Sequence, residues 1–172
     1  MFSNYISSES FYQNFSLYKS QETFQTEKGD LIEDLTIGYH TYGDFVPGKS
    51  KVVWVCHALT GNSDVFDWWA GIFGDAKLFN PKDYFIVCAN VLGSSYGSSG
   101  PISTSKTGGI LNEKFPLITP RDMAKAHEVL RNELKIETID VLIGASLGGQ
   151  QALEWSIDLQ TKVKQLIVIA TN

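Results

Sequence analysis

Four stretches of this chain are apolar almost without interruption: Val52-Val53-Trp54-Val55-Cys56, Tyr84-Phe85-Ile86-Val87-Cys88, Ile139-Asp140-Val141-Leu142-Ile143 and Leu166-Ile167-Val168-Ile169. A strand with one face in water alternates apolar and polar residues, so runs like these belong to strands covered on both faces, as in a parallel sheet flanked by helices. Helical signatures separate the last three runs. Thr119-Pro120-Arg121-Asp122 supplies a hydroxyl N-cap, a proline at the first helical position and a carboxylate at the third, and the core stripe Met123, Ala126, Leu130 and Leu134 follows. From Leu147 to about Leu159 a second helix presents Ala152, Trp155 and Leu159, with Leu153 and Ile157 alongside. Strand, helix, strand, helix, strand predicts a doubly wound α/β sheet with right-handed crossovers.

The N-terminal part reads differently. Thr23-Phe24-Gln25 and Leu31 to Tyr42 flank the turn-rich Glu27-Lys28-Gly29-Asp30 and predict an antiparallel hairpin at a sheet edge. Residues 1–15 show no period and read as a tail or an arm packed on a neighbour, leaving 16–172 as one unit. At the other end, Ala170-Thr171-Asn172 directly follows an apolar strand. An uncovered apolar edge is an aggregation liability, so further polypeptide is expected after Asn172.

Charge removes several functions. Fourteen Lys and Arg stand against nineteen Asp and Glu, a net charge of -5, with no basic cluster suited to a phosphate backbone. No nucleic-acid partner is expected. The N-terminus lacks a secretory pattern and no apolar run could span a bilayer, which predicts a cytoplasmic protein with no membrane partner. Cys56 and Cys88 each lie inside an apolar strand run and read as buried reduced thiols. The histidines have no H-x-x-x-H or C-x-x-C company, so no metal site is predicted.

The chemistry centres on Gly144-Ala145-Ser146-Leu147-Gly148, which fits G-x-S-x-G between a strand and a helix. That context matters because a sharp turn lifts the hydroxyl out of the sheet while the helix N-terminus favours developing negative charge. Gly93-Ser94-Ser95-Tyr96-Gly97 fits the same pattern, but a glycine- and serine-rich loop follows it. Ser146 is therefore the candidate nucleophile, and the 93–109 stretch a pocket-edge loop that also lacks a P-loop signature. Two backbone donors must meet the oxyanion. Leu147, next to the serine, is one, and Leu59, in the Cys56 to Asn62 loop on the same sheet edge, is the other. His57 is read as a brace for that loop, while His40 and His127 are read as exposed or partly packed. No histidine follows Ser146, and Asp158 lies on the helix after it, so the Asp and His of a triad are not in this chain. Trp68 and Trp69 are core or lid-packing residues that could line an entrance.

Several segments taken together, Cys56 to Gly61, Asp67-Trp68-Trp69, Asn90-Val91-Leu92-Gly93, Gly97 to Pro101, Thr119 to Met123 and Gly144 to Trp155, resemble the homoserine O-acetyltransferases of the α/β-hydrolase superfamily. The likeness runs in order from about Phe15 to the last residue. Leu147 stands where that family often has methionine. The resemblance implies an α/β-hydrolase fold whose lid, last strands and triad Asp and His lie outside this chain. It also implies that Ser146 takes an acetyl group from acetyl-CoA and passes it to L-homoserine, an activation step of methionine synthesis, with no bound cofactor and a homodimer when full length. Other expectations stand beside it: another acyl donor, serine as acceptor, simple ester hydrolysis, or an incomplete fragment that only binds.

Overall fold

The four apolar runs become adjacent parallel strands of one sheet. The computed structural model describes residues 14–104, 108–158 and 161–171. Chain order is β1 (Asn14–Lys19), β2 (Phe24–Gln25), β3 (Leu31–Ile32), β4 (Thr36–Tyr42), β5 (Lys51–Cys56), α1 (Val65–Trp68), β6 (Tyr84–Ala89), a 3-10 turn at Asn112–Lys114, α2 (Pro120–Glu133), β7 (Thr138–Ala145), α3 (Leu147–Asp158) and β8 (Lys162–Ile169). The main sheet has the order β1-β4-β6-β5-β7-β8. β5 lies parallel to β6 and β7, and β7 parallel to β8, whereas β1 and β4 pair antiparallel at the other edge. β2 and β3 form a separate two-stranded ribbon.

Both faces of the central strands are covered, which accounts for their unbroken apolar sequence. Val52, Trp54 and Cys56 pack with Phe85, Val87 and Leu142 against Ala126 and Leu130 of α2 and Ala152 and Trp155 of α3. The alternate residues Val53, Val55, Ile86, Cys88, Val141 and Ile143 pack against Val65, Phe73 and Phe79. Trp54 and Trp155 meet edge to face, their centroids 5.0 Å apart and their planes at 83°, an arrangement worth about 0.5–1.5 kcal/mol beyond its buried area. Helix α2 begins as its sequence requires: Thr119 and Asp122 form a reciprocal capping box with Pro120 at N1. Asp122 also accepts the Glu27 N–H at 2.6 Å, tying the β2–β3 turn to this helix.

The hairpin differs from its sequence reading. β2 and β3 pair over only two residues around the Thr26–Asp30 turn, and from Thr36 onward the chain changes partner. β4 then lies between β6 and β1, with Phe15 opposite His40. Asn14 and Phe15, assigned from sequence to an arm, open β1; residues 1–13 of that arm lie outside the described residues. Ile157, placed beside the core stripe of α3, is 81% exposed, and Leu159 lies outside the described residues. Among the described residues β8 pairs on one side only, and Leu166, Val168 and Ile169 are exposed on it. No helix among the described residues is long and apolar enough to cross a membrane.

Candidate active site

From β5 the chain moves outward to β6, then returns across β5 to build β7 and β8 on the other side. Loops leaving β5 and β7 therefore diverge, opening a crevice at the carboxyl edge of the sheet where ligands collect in open α/β folds. Cys56 and Gly144 pair at that edge. Ser146 and the loop carrying Leu59 leave from these neighbouring strand ends.

Ser146 has φ +53°, a left-handed conformation that costs an L-residue roughly 1–2 kcal/mol. The surroundings hold it there. Its N–H donates to Ile169 O at 3.0 Å, and its carbonyl accepts from Gly149 N–H at 2.9 Å and from the Thr171 hydroxyl at 3.0 Å. Gly144 and Gly148 permit the turn. A methyl on Gly144 would stand 2.1 Å from Gly148 O, and one on Gly148 would stand 2.0 Å from Cys56 O. The side chain of Ser146 is exposed at the head of the twelve-residue helix α3.

The facing loop is fixed at several points. His57 Nδ1–H donates to Ala58 O at 2.7 Å, and its Nε2 accepts the Val91 N–H at 3.1 Å. These partners define the neutral tautomer, and burial lowers the pKa of the ring against the opposing pull of its Ala58 hydrogen bond. Further along, Ser63 N–H donates to Asn90 Oδ1 at 2.7 Å and Trp68 Nε1–H donates to Asn62 O at 2.9 Å. Between these anchors Leu59 is 75% exposed. Among the described residues neither the Leu59 nor the Leu147 N–H donates to a protein acceptor. Two unspent N–H groups and one exposed hydroxyl are the parts an acyl-transfer site requires.

The three histidines are engaged elsewhere. Both ring nitrogens of His57 are committed, so no lone pair remains to take a proton from Ser146. His127 is fully buried, contrary to the sequence reading, and burial together with His57 lowers its pKa to about 3. It packs among Cys56, Trp54 and Trp155. His40 Nδ1 is hydrogen-bonded to the Ser63 hydroxyl at 2.8 Å, and Asn90 Nδ2 donates to the same oxygen. His40 stands on β4, three strand spacings or about 14 Å from β7.

A cleft of about 510 Å³ adjoins the loop, lined by Leu59, Val91, Leu92, Tyr96, Phe115 and Met123 among others. Ser94 and Ser95 line it too, in keeping with a pocket-edge role for their loop. Trp68 and Trp69 stack at 5.1 Å, half-buried beside the β5 loop. Cys56 and Cys88 are free and buried. Sequence reasoning gave no role to Asn90, Ser63 or Gln151, which hold the loop or the elbow. A legible signal existed for one of them: Gln151 lies one turn before Trp155 on the core stripe of α3, where a polar residue is out of place.

Comparison with known proteins bears on this arrangement. A family model described as alpha/beta hydrolase fold matches residues 51–172. The homoserine O-acetyltransferase of Cyclobacterium marinum is 42% identical over 157 residues, covering 91% of this chain and 45% of that protein. The crystal structure of the homoserine O-acetyltransferase from Staphylococcus aureus superposes with a TM-score of 0.77 at 32% identity, over 92% of this chain and 47% of that one. The crystal structure of the L374D mutant of esterase E22 superposes with a TM-score of 0.84 at 23% identity, over 92% and 47%, which speaks to the fold alone. The likeness to homoserine O-acetyltransferases seen in the sequence is thus borne out, and the chain spans under half the length of those proteins. With most of its length matched by the family model and its sheet order, elbow and crevice in place, the chain belongs to the α/β-hydrolase-fold family.

Proposed function

We propose that this chain carries the nucleophile and oxyanion hole of an acyltransferase that moves an acetyl group from acetyl-CoA to the hydroxyl of L-homoserine. The observation that carries this is Ser146, held left-handed between Gly144 and Gly148 at the head of α3, beside a loop whose Leu59 N–H has no acceptor among the described residues. The choice of donor and acceptor rests on likeness to the enzymes named above.

Ser146 Oγ attacks the thioester carbonyl as its proton passes to a base, and the Leu59 and Leu147 amides hold the resulting oxyanion. Collapse expels the CoA thiolate, which takes up the proton. The homoserine hydroxyl then attacks the acetyl-serine ester, its proton moving by the same route, and Ser146 is regenerated. Because His57, His127 and His40 are committed or remote, no histidine among the described residues serves as the base for Ser146. Transfer in place of hydrolysis further requires a cover that excludes water while homoserine is bound. The free, buried cysteines suit a reducing cytoplasm, and the resemblance supports a homodimer and a place in methionine synthesis.

The test is incubation of the natural protein with acetyl-CoA, followed by mass analysis of the Ser146 peptide and a chase with homoserine, serine or water. An acetyl adduct on Ser146, discharged fastest by homoserine, is expected. Release of CoA with no adduct, or discharge no faster with homoserine than with water, refutes the proposal. Succinyl-CoA in place of acetyl-CoA distinguishes the acyl donor.

A further inference from the structure

An oxyanion hole built from two backbone amides works only if both N–H groups reach the same oxygen, at about 2.7–3.1 Å each. Here the two donors belong to different elements: Leu147 opens α3, and Leu59 sits in the loop after β5. Gly148 lets the elements touch, but bare contact does not fix their spacing. One side chain binds both. Gln151 is fully buried on α3, and its Nε2 lies 3.2 Å from Leu147 O and 3.3 Å from His57 O. Both acceptors are carbonyl oxygens, so the amide nitrogen must be the end that faces them, one N–H to each. Leu147 bears one proposed donor, and His57 is two residues before the other.

Stability alone is a poor reason for this residue. Gln151 Oε1 is buried with no hydrogen-bond partner among the described residues. Leaving a buried acceptor unpaired destabilises a fold. Position 151 also lies on the apolar stripe with Trp155, where methionine or leucine would fill the same space without a stranded oxygen. A glutamine there is explained by what its nitrogen joins.

We infer that Gln151 is a positioning residue that sets the separation of the Leu59 and Leu147 amides, and so tunes stabilisation of the oxyanion without touching substrate. The inference rests on the reading of Ser146 as the acylated nucleophile. It predicts a loss confined to the chemical step, since the thioester ground state binds without the hole.

The experiment compares Gln151→Met with wild type in the natural polypeptide, reading the single-turnover rate of Ser146 acetylation, the KM for acetyl-CoA and the melting temperature. Displacing a donor without removing it should cost less than the full loss of one, so acetylation should fall about 10–100-fold. KM should stay within about twofold and Tm should not fall. Equal acetylation by variant and wild type overturns the inference, as does a loss of rate that follows a raised KM. Gln151→Glu carries the test if the methionine variant does not fold. Its neutral carboxyl can donate one proton and its ionised form none, so the ratio of its rate to that of wild type should rise as pH falls, and a flat ratio overturns the inference. Absence of a Ser146 adduct in wild type overturns the functional proposal, whereas an adduct in wild type matched by the methionine variant overturns the brace alone.

Discussion

Adding one methyl at Gly148 is the sharpest test of the close approach on which the elbow depends. An alanine Cβ would sit 2.0 Å from Cys56 O, 2.7 Å from Cys56 C and 3.0 Å from His57 O. Non-bonded carbon and oxygen rest near 3.5 Å, so one side must yield by about 1.5 Å. Neither side yields easily, because the obstructing atoms are backbone at the end of β5, which is laddered to β6 and β7, and α3 is pinned through Trp155 in the core. Overpacking costs about 1–3 kcal/mol, and a backbone clash belongs at the upper end. Replacing a helical glycine returns up to about 1 kcal/mol, which leaves a net loss of about 2 kcal/mol. For a chain of 172 residues that lowers Tm by about 4–8 °C. Thermal melts followed by circular dichroism measure it, with Gly71→Ala as control, because nothing lies within 4 Å of a methyl there. The control should melt at or slightly above the wild-type temperature. A Gly148→Ala protein melting within about 1 °C of wild type would show that the contact between elbow and loop is loose, and the reasoning would fail.

Ser146→Ala should abolish acetylation by acetyl-CoA while leaving Tm within about 2 °C, since an exposed side chain carries little packing; an acetyl adduct on that variant would refute the assignment. Asp122→Ala removes the acceptor for Glu27 N–H and for Thr119 N–H together, so urea unfolding should report a loss of about 2–3 kcal/mol, and a loss below about 0.5 kcal/mol would contradict the pairing. Acid should destabilise the fold through its histidines. His127 is held at a pKa of about 3 by burial and by His57, below its unfolded 6.5, so the unfolded chain binds a proton that the native state refuses. Stability then falls as pH drops below 6.5, by up to about 1.4 kcal/mol per pH unit for this group, down to about pH 3. Burial lowers His57 and His40 as well, adding in the same direction. Urea midpoints at pH 7 and pH 5 measure the slope; His127→Phe should flatten it, and equal midpoints for wild type would refute the burial argument.

What the sequence made legible was local. Unbroken apolar runs found β5, β6 and β7, because burial on both faces leaves that mark on every residue; the same kind of run found β8, although Leu166, Val168 and Ile169 are exposed on it among the described residues. The Thr119 to Asp122 capping box marked the start of α2, because capping is chemistry among residues three apart. Ser146 was legible because an elbow compresses strand, turn and helix into one short segment. Pairing across distance left no such mark. Nothing in Thr36 to Tyr42 says that its partner is Asn14–Lys19 and not Thr23–Gln25. His127 read as an exposed or partly packed helical residue; its burial depends on Trp54, Cys56 and Trp155, which lie far from it in sequence. His57 is the intermediate case: its role as a brace followed from chain order, but its partner Val91 did not.

Under the proposed reading, the site divides two tasks that serine acyl-transfer usually combines. Oxyanion stabilisation depends on donors fixed before reaction begins, and ties from β8, β5, α3 and the loop after β6 hold them here: Ile169 O on the elbow, Gly148 against Cys56 O, Gln151 on Leu147 O and His57 O, Val91 N–H on His57 and Asn90 on Ser63. Proton transfer depends on an imidazole with a lone pair to offer, and none of the three rings in this chain offers one to Ser146. These contributions separate experimentally in enzymes of this type, where loss of the triad leaves roughly 10³–10⁴-fold of acceleration from the hole and from binding. Slow acetylation of Ser146 that depends on the Leu59–Leu147 hole and not on His57 is therefore the behaviour this geometry implies wherever no other base reaches the serine. Because His57 holds its loop by donating to Ala58 and accepting from Val91, glutamine at position 57, with one donor end and one acceptor end, should preserve much of that rate, whereas a base would not tolerate the change.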